Sequence, residues 1–593
     1  MRFVYCAVMI RLVAYSYPIR LGACISSVPA FSPTIQTLSV PSSGRTWRAG
    51  TRNKAPGPGA VIPGCWQGYH RAALAGTKES FAAERGEQDV SGDAASSQSA
   101  EGGSSAVALV RRNRQSMAFR QGTPLVFSGA IESTFANVDS IPMADLVLVA
   151  VSPNKAKDFS KPRRRKGPKS GKGESAPHKV LFREGSEETP EMLQQVQMLK
   201  QSQDIGYGVY NPNSMYRVRI LCHNSSHAGL FREVNAILQS GGKDSNQKAI
   251  AAIVRTKVCD AARARLAMNL PSDSTDSYRL VNGEGDGLSG LAVDILGGKV
   301  AVVMSSAAWC EEYRETIVHS LEDAMQSQHP SYTGGQLEMI WRNTPSRLKQ
   351  DGYLDFENGN ADNYNDTCVV VKESNVLYNT YPFSKSQKTG FYCDQRNNRL
   401  DVAKLCNGKR VLDLCCYNGG FALNAMVHGG ADQCIGVDSS QDAIEAATSN
   451  AELNGIDEGR IQFVKDDIAK YMQTAYTDGA SFDVVVLDPP KLAPSASGLD
   501  RAARKYRALN RDAIKLVNRE EGGLLLTCTC SGAMTQKEGG TFFLQTVKEA
   551  AMAAGRQVTL LQKSGAAPCH TQCPASFPAG NYLTAALFYV SPV

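Results

Sequence analysis

The C-terminal part of this 593-residue chain reads as a doubly wound, mostly parallel α/β sheet. Three apolar runs predict it: Val411-Leu-Asp-Leu-Cys-Cys-Tyr-Asn-Gly-Gly420, Val486-Leu-Asp-Pro-Pro-Lys491 and Leu526-Thr-Cys-Thr-Cys-Ser-Gly532. Each is a short buried-strand sequence that ends in small or polar residues, as where parallel strands run out into a ligand crevice. Between the runs lie helical stretches long enough to cover the faces of such a sheet.

Taken in order, strands are expected at 410–414, 433–437, 460–464, 482–487 and 523–528, with helices near 419–429, 440–454, 497–518 and 536–554. Segments 558–562 and 582–590 close the sheet, the last strand antiparallel. Upstream, 386–408 leads into this domain. Residues 226–385 predict a helical connector, with Ile253, Val258, Ala262 and Leu266 on one helix face, and a small α/β middle domain around the turn Gly283-Glu-Gly-Asp-Gly-Leu288. Residues 107–225 predict a small all-β module carrying an insertion at 153–204. The insertion's core, Lys155–Lys172, has nine basic residues against Asp158 alone. A solvated loop and a phosphate-contacting arm both fit such a run.

Composition narrows the class. Net charge +7 and pI near 8.6 permit a nucleic-acid partner without demanding one. Sixteen cysteines in so long a chain, several inside apolar strands, are not a disulfide framework and suggest a reducing compartment. No apolar run reaches membrane-span length, so no membrane partner is expected. Residues 1–78 hold nine Lys or Arg and no acid, in a Ser/Pro/Gly-rich setting. An organellar targeting peptide and a disordered linker are therefore expected over 1–106. The junction Val28-Pro-Ala-Phe-Ser-Pro33 resembles the leader cleavage site of plastid proteins in algae with secondary plastids. The plastid stroma is the expected destination, with the mitochondrion as alternative.

The strand tips carry the chemistry. Asp413 and Gly419 bracket the first turn, where a glycine lets backbone approach a ligand at a helix N-terminus. Asp413 and the stretch Cys415, Cys416, Tyr417 to Gly419 would wrap one end of a cofactor; for the two cysteines plain strand packing fits equally. Asp438 ends the second strand, placed to accept ribose hydroxyls. Asp466 and Asp467 end the third, where an acid can accept an adenine amino group; Asp467 is preferred. The order points to an adenosyl cofactor. Asp488 is held at the fourth tip by Pro489 and Pro490, which cannot continue a ladder. A carboxylate there can accept from the N4 amino group of a flipped cytosine. Cys530 passes the fifth tip, where a thiolate adding to C6 would make C5 of the base nucleophilic.

At these residues the sequence resembles the bacterial large-subunit ribosomal RNA cytosine-C5 methyltransferase family, class I S-adenosylmethionine-dependent enzymes with an N-terminal PUA domain. Thr529-Cys-Ser-Gly-Ala-Met534 is similar to its nucleophile motif, and Lys388-Thr-Gly-Phe-Tyr-Cys-Asp-Gln-Arg-Asn-Asn-Arg399 to the segment entering the methyltransferase domain. Asp276–Leu288 resembles its middle-domain signature, and Leu125–Ile131 and Gly208–Ser214 its PUA strands. The resemblance implies a Rossmann-like methyltransferase domain over 386–593, a PUA-like RNA-binding domain over 107–225, and S-adenosyl-L-methionine as cofactor. It also implies a large-subunit ribosomal RNA partner, Cys530 and Asp488 as catalytic, and Gln395, Arg396, Pro489 and Lys491 on the substrate side. Many RNA cytosine-C5 methyltransferases carry a second cysteine where this chain has Lys491. The oligomeric state stays open, a homodimer included. Cys569-His-Thr-Gln-Cys573 lacks a second ligand pair, so a polar loop is expected there and no metal. Two rival functions are N-methylation of guanine or of a small molecule, and a non-catalytic RNA-binding assembly factor.

Overall fold

The computed structural model describes residues 106–593 except 113, 136–140, 153–197, 200–203, 329–336, 355–366, 384–388 and 494–495. The expected targeting segment and the basic core of the insertion lie outside the described residues.

Six strands come first: β1 Val107–Val110, β2 Leu125–Val126, β3 Ile131–Phe135, β4 Leu146–Val151, β5 Ile205–Tyr210 and β6 Val218–His223. They form one sheet in the order β2-β6-β5-β4-β1-β3, with β1 and β4 parallel and the other neighbours antiparallel. The module is not all-β as the sequence suggested. A helix, Arg114–Arg120, buries Phe119 completely and sets its ring against His223, tilted by 54° with the ring centroids 4.8 Å apart.

Two helices follow, Ala228–Gln239 and Ser245–Ala267. On the second, Ile253, Val258 and Ala262 are buried as expected, but Leu266 is 42% exposed and Arg265 is 0% exposed. The inversion is electrostatic: the Arg265 guanidinium finds Asp286, at 2.7 and 2.8 Å, together with backbone carbonyls. Strands β7 Tyr278–Asn282, β8 Leu291–Leu296, β9 Val300–Ser305 and β10 Glu338–Asn343 make a second sheet, ordered β10-β9-β8-β7. A hairpin, β11 Val369–Glu373 and β12 Val376–Thr380, is stitched to the C-terminal domain. Its Leu377 and Asn379 amides donate to the Asn454 and Asn450 side chains at 2.9 and 2.8 Å.

The third sheet contains β13 Arg410–Leu414, β14 Gln433–Asp438, β15 Ile461–Lys465, β16 Val484–Leu487, β17 Gly523–Thr529, β18 Val558–Ser564 and β19 Thr584–Val590. Its order is β15-β14-β13-β16-β17-β19-β18, with β19 antiparallel to both neighbours and the rest parallel. The chain steps outward from β13 in one direction, then returns to add β16 on its other side. That reversal opens a crevice at the carboxyl ends of β13 and β16. Helices Gly420–Val427, Gln441–Leu453, Leu499–Leu516 and Thr541–Ala553 match the expected ones, whereas Ile468–Thr477 was not foreseen. Apolar clusters on the two faces, one around Val411, Val486 and Cys528 and one around Leu412, Val485 and Leu525, fix the sheet and therefore its tips. Among the described residues no helix is long and apolar enough to cross a membrane.

Candidate active site

The turn after β13 is a tight hook. Val437 O accepts from both the Cys415 and Cys416 amides, at 2.8 and 3.1 Å, which pulls the chain over the tip of β14. Cys415 and Tyr417 take left-handed conformations, φ 64° and 49°, and Gly419 has φ 83°. Non-glycine residues keep such angles where the surroundings over-determine them, commonly at ligand clamps. A Cβ on Gly419 would meet the Phe463 ring at 3.0 Å, so both conformation and space demand glycine there. Tyr417 N donates to Asp438 Oδ2 at 3.1 Å, and its hydroxyl to Gly390 O at 3.3 Å. Cys416 packs inside, whereas Cys415 is partly exposed with its thiol pushed well up by burial and neighbouring carboxylates.

Asp413 lies one residue inside the end of β13, 1% exposed. Its Oδ2 accepts from Ala422 N at 3.1 Å, holding the first turn of the helix that follows the hook. Its Oδ1 is buried without a hydrogen-bond partner among the described residues. Burial raises the carboxyl to about 7. A buried acceptor left bare costs free energy, so it points to a donor that arrives with a ligand.

The other acids divide. Asp438 at the end of β14 spends one oxygen on Tyr417 N and the other on Ser440 N, at 3.1 and 3.0 Å. Each carboxylate oxygen retains a further lone pair for a hydroxyl. Ser440, not Asp438, caps the helix Gln441–Leu453. Asp467, the preferred acid at this tip, also has a structural task. It is exposed and is the N-cap of the unforeseen helix Ile468–Thr477, accepting from Ala469 N and Lys470 N at 2.9 and 3.1 Å. Asp466, directly after β15, is partly exposed and pairs with Lys470 at 3.1 Å.

Asp488 and Cys530 stand at the tips of neighbouring strands β16 and β17, both partly exposed. Around them, Tyr392, Tyr506 and Cys528 have their hydroxyls and thiol pushed up, chiefly by burial. The backbone on either side of Cys530 is clamped. Thr529 donates to the Tyr506 hydroxyl at 2.8 Å, and Ser531 to Ala493 O at 2.7 Å, which ties the cysteine loop to the loop of Pro489 and Lys491. Cys528, two residues earlier on the same face, is 0% exposed and stays inside the sheet. Pro489 is buried and Lys491 exposed at the mouth. Gln395 donates to Asp488 Oδ2 at 2.9 Å.

Arg396 departs from its expected role. Its guanidinium reaches Ser277 O and Cys569 Sγ, each at 3.4 Å, and serves the joint with the middle domain rather than the crevice. The Cys569–Cys573 loop belongs to the same joint: Cys573 donates to Glu284 O at 3.4 Å, and Thr571 to Asp286 at 2.8 Å. His570 there is held at about 3, chiefly by burial and next by Arg279. Sequence reasoning passed over Tyr392, edge-on to Tyr417 with centroids 5.1 Å apart, and the buried Arg399–Glu373 pair. Arg399 also donates to Tyr392 O at 2.6 Å and lies where a Cβ on Gly420 would sit. Both residues lie in or beside the quoted 388–399 segment, which was the available signal.

Against known proteins, the S-adenosylmethionine-dependent methyltransferase family profile matches residues 283–560. The ribosomal RNA large subunit methyltransferase I of Escherichia coli K12 is 35% identical over 311 residues, spanning 52% of this chain and 74% of that protein. Its counterpart in Shigella dysenteriae serotype 1 is also 35% identical, over 73% of its length. Among solved structures, SMU.776, a candidate methyltransferase complexed with SAH, superposes with TM-score 0.55 at 15% identity, covering 82% of this chain and 99% of that one. A candidate S-adenosylmethionine-dependent methyltransferase from Streptococcus mutans gives 0.54 at 15% identity, with the same coverage. At that identity the likeness speaks for the fold. The chain is a methyltransferase dependent on S-adenosylmethionine. The bare Asp413 acceptor, the Gly419 approach and the strained hook fit a ligand with an amino group at the first strand tip.

Proposed function

The chain belongs to the S-adenosylmethionine-dependent methyltransferase family that includes the large-subunit ribosomal RNA methyltransferase I of E. coli, and from that premise we propose that it methylates C5 of a cytosine in large-subunit ribosomal RNA through a Cys530 adduct. The observation that carries this reading is the placement of Asp488 and Cys530 at the tips of the adjacent strands β16 and β17, their loops joined by the Ser531–Ala493 bond.

Bound S-adenosylmethionine supplies an electrophilic methyl group. Asp413 and the Cys415–Gly419 hook would hold its methionine end, Asp438 its ribose hydroxyls, and Asp466 its adenine amino group. Asp488 accepts from the cytosine N4 amino group and fixes the flipped base. The Cys530 thiolate adds to C6, forming a C–S bond and moving electron density to C5, which becomes the nucleophile. C5 takes the methyl group and a thioether leaves; loss of the C5 proton to solvent from the methylated adduct then lets the C–S bond break, and the thiolate is restored. The N-terminal six-stranded module, with its PUA-like strands, would grip the RNA backbone through salt-sensitive phosphate contacts.

The test uses wild type and Cys530→Ala with tritiated S-adenosylmethionine and unmodified organellar large-subunit RNA, reading the labelled nucleoside after digestion. Label in 5-methylcytidine with wild type, reduced by roughly 1,000-fold or more in the variant, is expected. Label on another base, or a variant as active as wild type, would reject cytosine-C5 chemistry; cofactor binding with no transfer to any RNA would support an assembly factor. The acid-free, basic N-terminal segment further supports a plastid address. Residues 1–106 fused to a fluorescent protein should enter plastids, and cytosolic or mitochondrial fluorescence would overturn that assignment.

A further inference from the structure

Asp488 is the terminus of a directed hydrogen-bond chain. Gln395, 5% exposed, donates its Nε2 to Asp488 Oδ2 at 2.9 Å. Its Oε1 accepts from Asn398 Nδ2, and Asn398, 3% exposed, accepts on Oδ1 from the Ser564 hydroxyl at 2.7 Å. The amide orientations follow from both ends. A carboxylate can only accept, so the Gln395 NH2 must face Asp488. The Asn398 NH2 also donates to Gly565 O at 3.1 Å, and a backbone carbonyl likewise only accepts. Reversing either amide would set acceptor against acceptor or donor against donor. One donor from each of Ser564, Asn398 and Gln395 therefore points toward Asp488, from the end of β18 to the tip of β16.

We propose that this relay sets Asp488 as an obligate acceptor toward the base, with Gln395, Asn398 and Ser564 as positioning residues that select an amino-bearing pyrimidine. The inference rests on the reading that Asp488 meets the substrate base. An N–H donated to Oδ2 stabilises the charged form more than the neutral acid, so the relay favours the ionised carboxylate. An ionised carboxylate accepts from the N4 amino group of cytosine and meets only a second acceptor, O4, on uracil. The titratable groups that face Asp488 from the surrounding elements are Asp413 on β13, Cys415 beyond it, Tyr392 before Gln395, Tyr506 on the helix Leu499–Leu516 and Cys528 on β17.

The decisive variant is Gln395→Glu. Two carboxylates at this distance share one proton, and the singly protonated pair reproduces the Gln395–Asp488 bond. At high pH both ionise and repel. The ratio of variant to wild-type kcat/KM for RNA should thus be near its maximum at the acid end of roughly pH 5.5 to 9 and fall roughly 10-fold or more as pH rises. A merely structural role lowers that ratio equally at every pH, and this outcome would overturn the relay. Asn398→Asp puts an acceptor opposite Gln395 Oε1 and turns the amide over. It should lower kcat/KM for RNA by roughly 10-fold or more while the affinity for S-adenosylmethionine, measured by calorimetry, stays unchanged. An Asn398→Asp enzyme as active as wild type would equally reject the relay. Failure of the underlying reading is distinguishable, since wild type itself would then make no 5-methylcytidine.

Discussion

Two regions of this molecule are built from the same residue types and do opposite things. In the joint between the middle domain and the Cys569–Cys573 loop, Arg265 is 0% exposed, and its guanidinium meets Asp286, Arg279 O, Ala261 O and Cys569 O. At the strand tips, Asp413 is nearly as buried, yet one of its oxygens has no hydrogen-bond partner among the described residues. The joint satisfies its polar atoms from within the protein, whereas the tip keeps an acceptor in reserve and adopts strained φ angles around it. Charge, cysteine and histidine content alone cannot separate a structural clamp from a binding site. What separates them is whether the protein has already satisfied its own buried groups.

The largest effect that sharpens this contrast comes from breaking the clamp. Arg265→Ala leaves the Asp286 carboxylate half-buried without its bidentate partner. Removing one partner of such a pair costs about 3–5 kcal/mol, so a large drop in unfolding free energy is expected in denaturant titration. Affinity of the folded protein for S-adenosylmethionine should stay unchanged. A variant that is stable but loses cofactor affinity would move Arg265 from the joint to the site.

What the sequence disclosed depended on how local its signals were. The tips of β13, β16 and β17 were legible because apolar runs end at a glycine turn, a double proline and a hydroxyl-flanked cysteine, all within a few residues. The helix Ile468–Thr477 was missed because it is short, is rich in aromatic and β-branched residues, and fully buries only Met472 and Ala475. Missing the helix meant missing its cap, and that is why Asp467 was preferred over Asp466. Gln395 and Arg396 looked like one unit, but Arg396 opens the helix Arg396–Ala403 and finds Cys569, 173 residues away. The relay through Asn398 to Ser564 spans 166 residues, a separation that no periodicity encodes. Arg265 shows the same limit, because the apolar pattern assigned Leu266 to the core and the position of Asp286 reversed it.

The middle-sized effect tests the acids along the sheet. Asp438→Ala removes the group proposed for the ribose hydroxyls and the acceptor that holds Tyr417 N. Hydrogen bonds to a charged group contribute about 1.5–3 kcal/mol, so S-adenosylmethionine affinity should fall roughly 10- to 100-fold in calorimetry.

The smallest effect concerns the neighbouring acid. Asp467→Ala removes an N-cap that accepts two backbone amides, which costs about 1 kcal/mol of stability and lowers Tm. Asp467→Asn keeps the capping oxygen and gives up only the charge near the helix N-terminus, so a few tenths of a kcal/mol is expected. Neither change should alter cofactor affinity, because the Asp467 carboxylate faces its own helix and is exposed to solvent. Asp466→Ala, by contrast, should weaken binding roughly 10-fold through loss of the proposed adenine contact. If Asp467→Ala weakened binding as much as Asp438→Ala, the adenine acceptor would be Asp467. The N-cap carboxylate would then serve its own helix and a ligand at once, as Asp438 is proposed to do through the lone pairs that Tyr417 N and Ser440 N leave open.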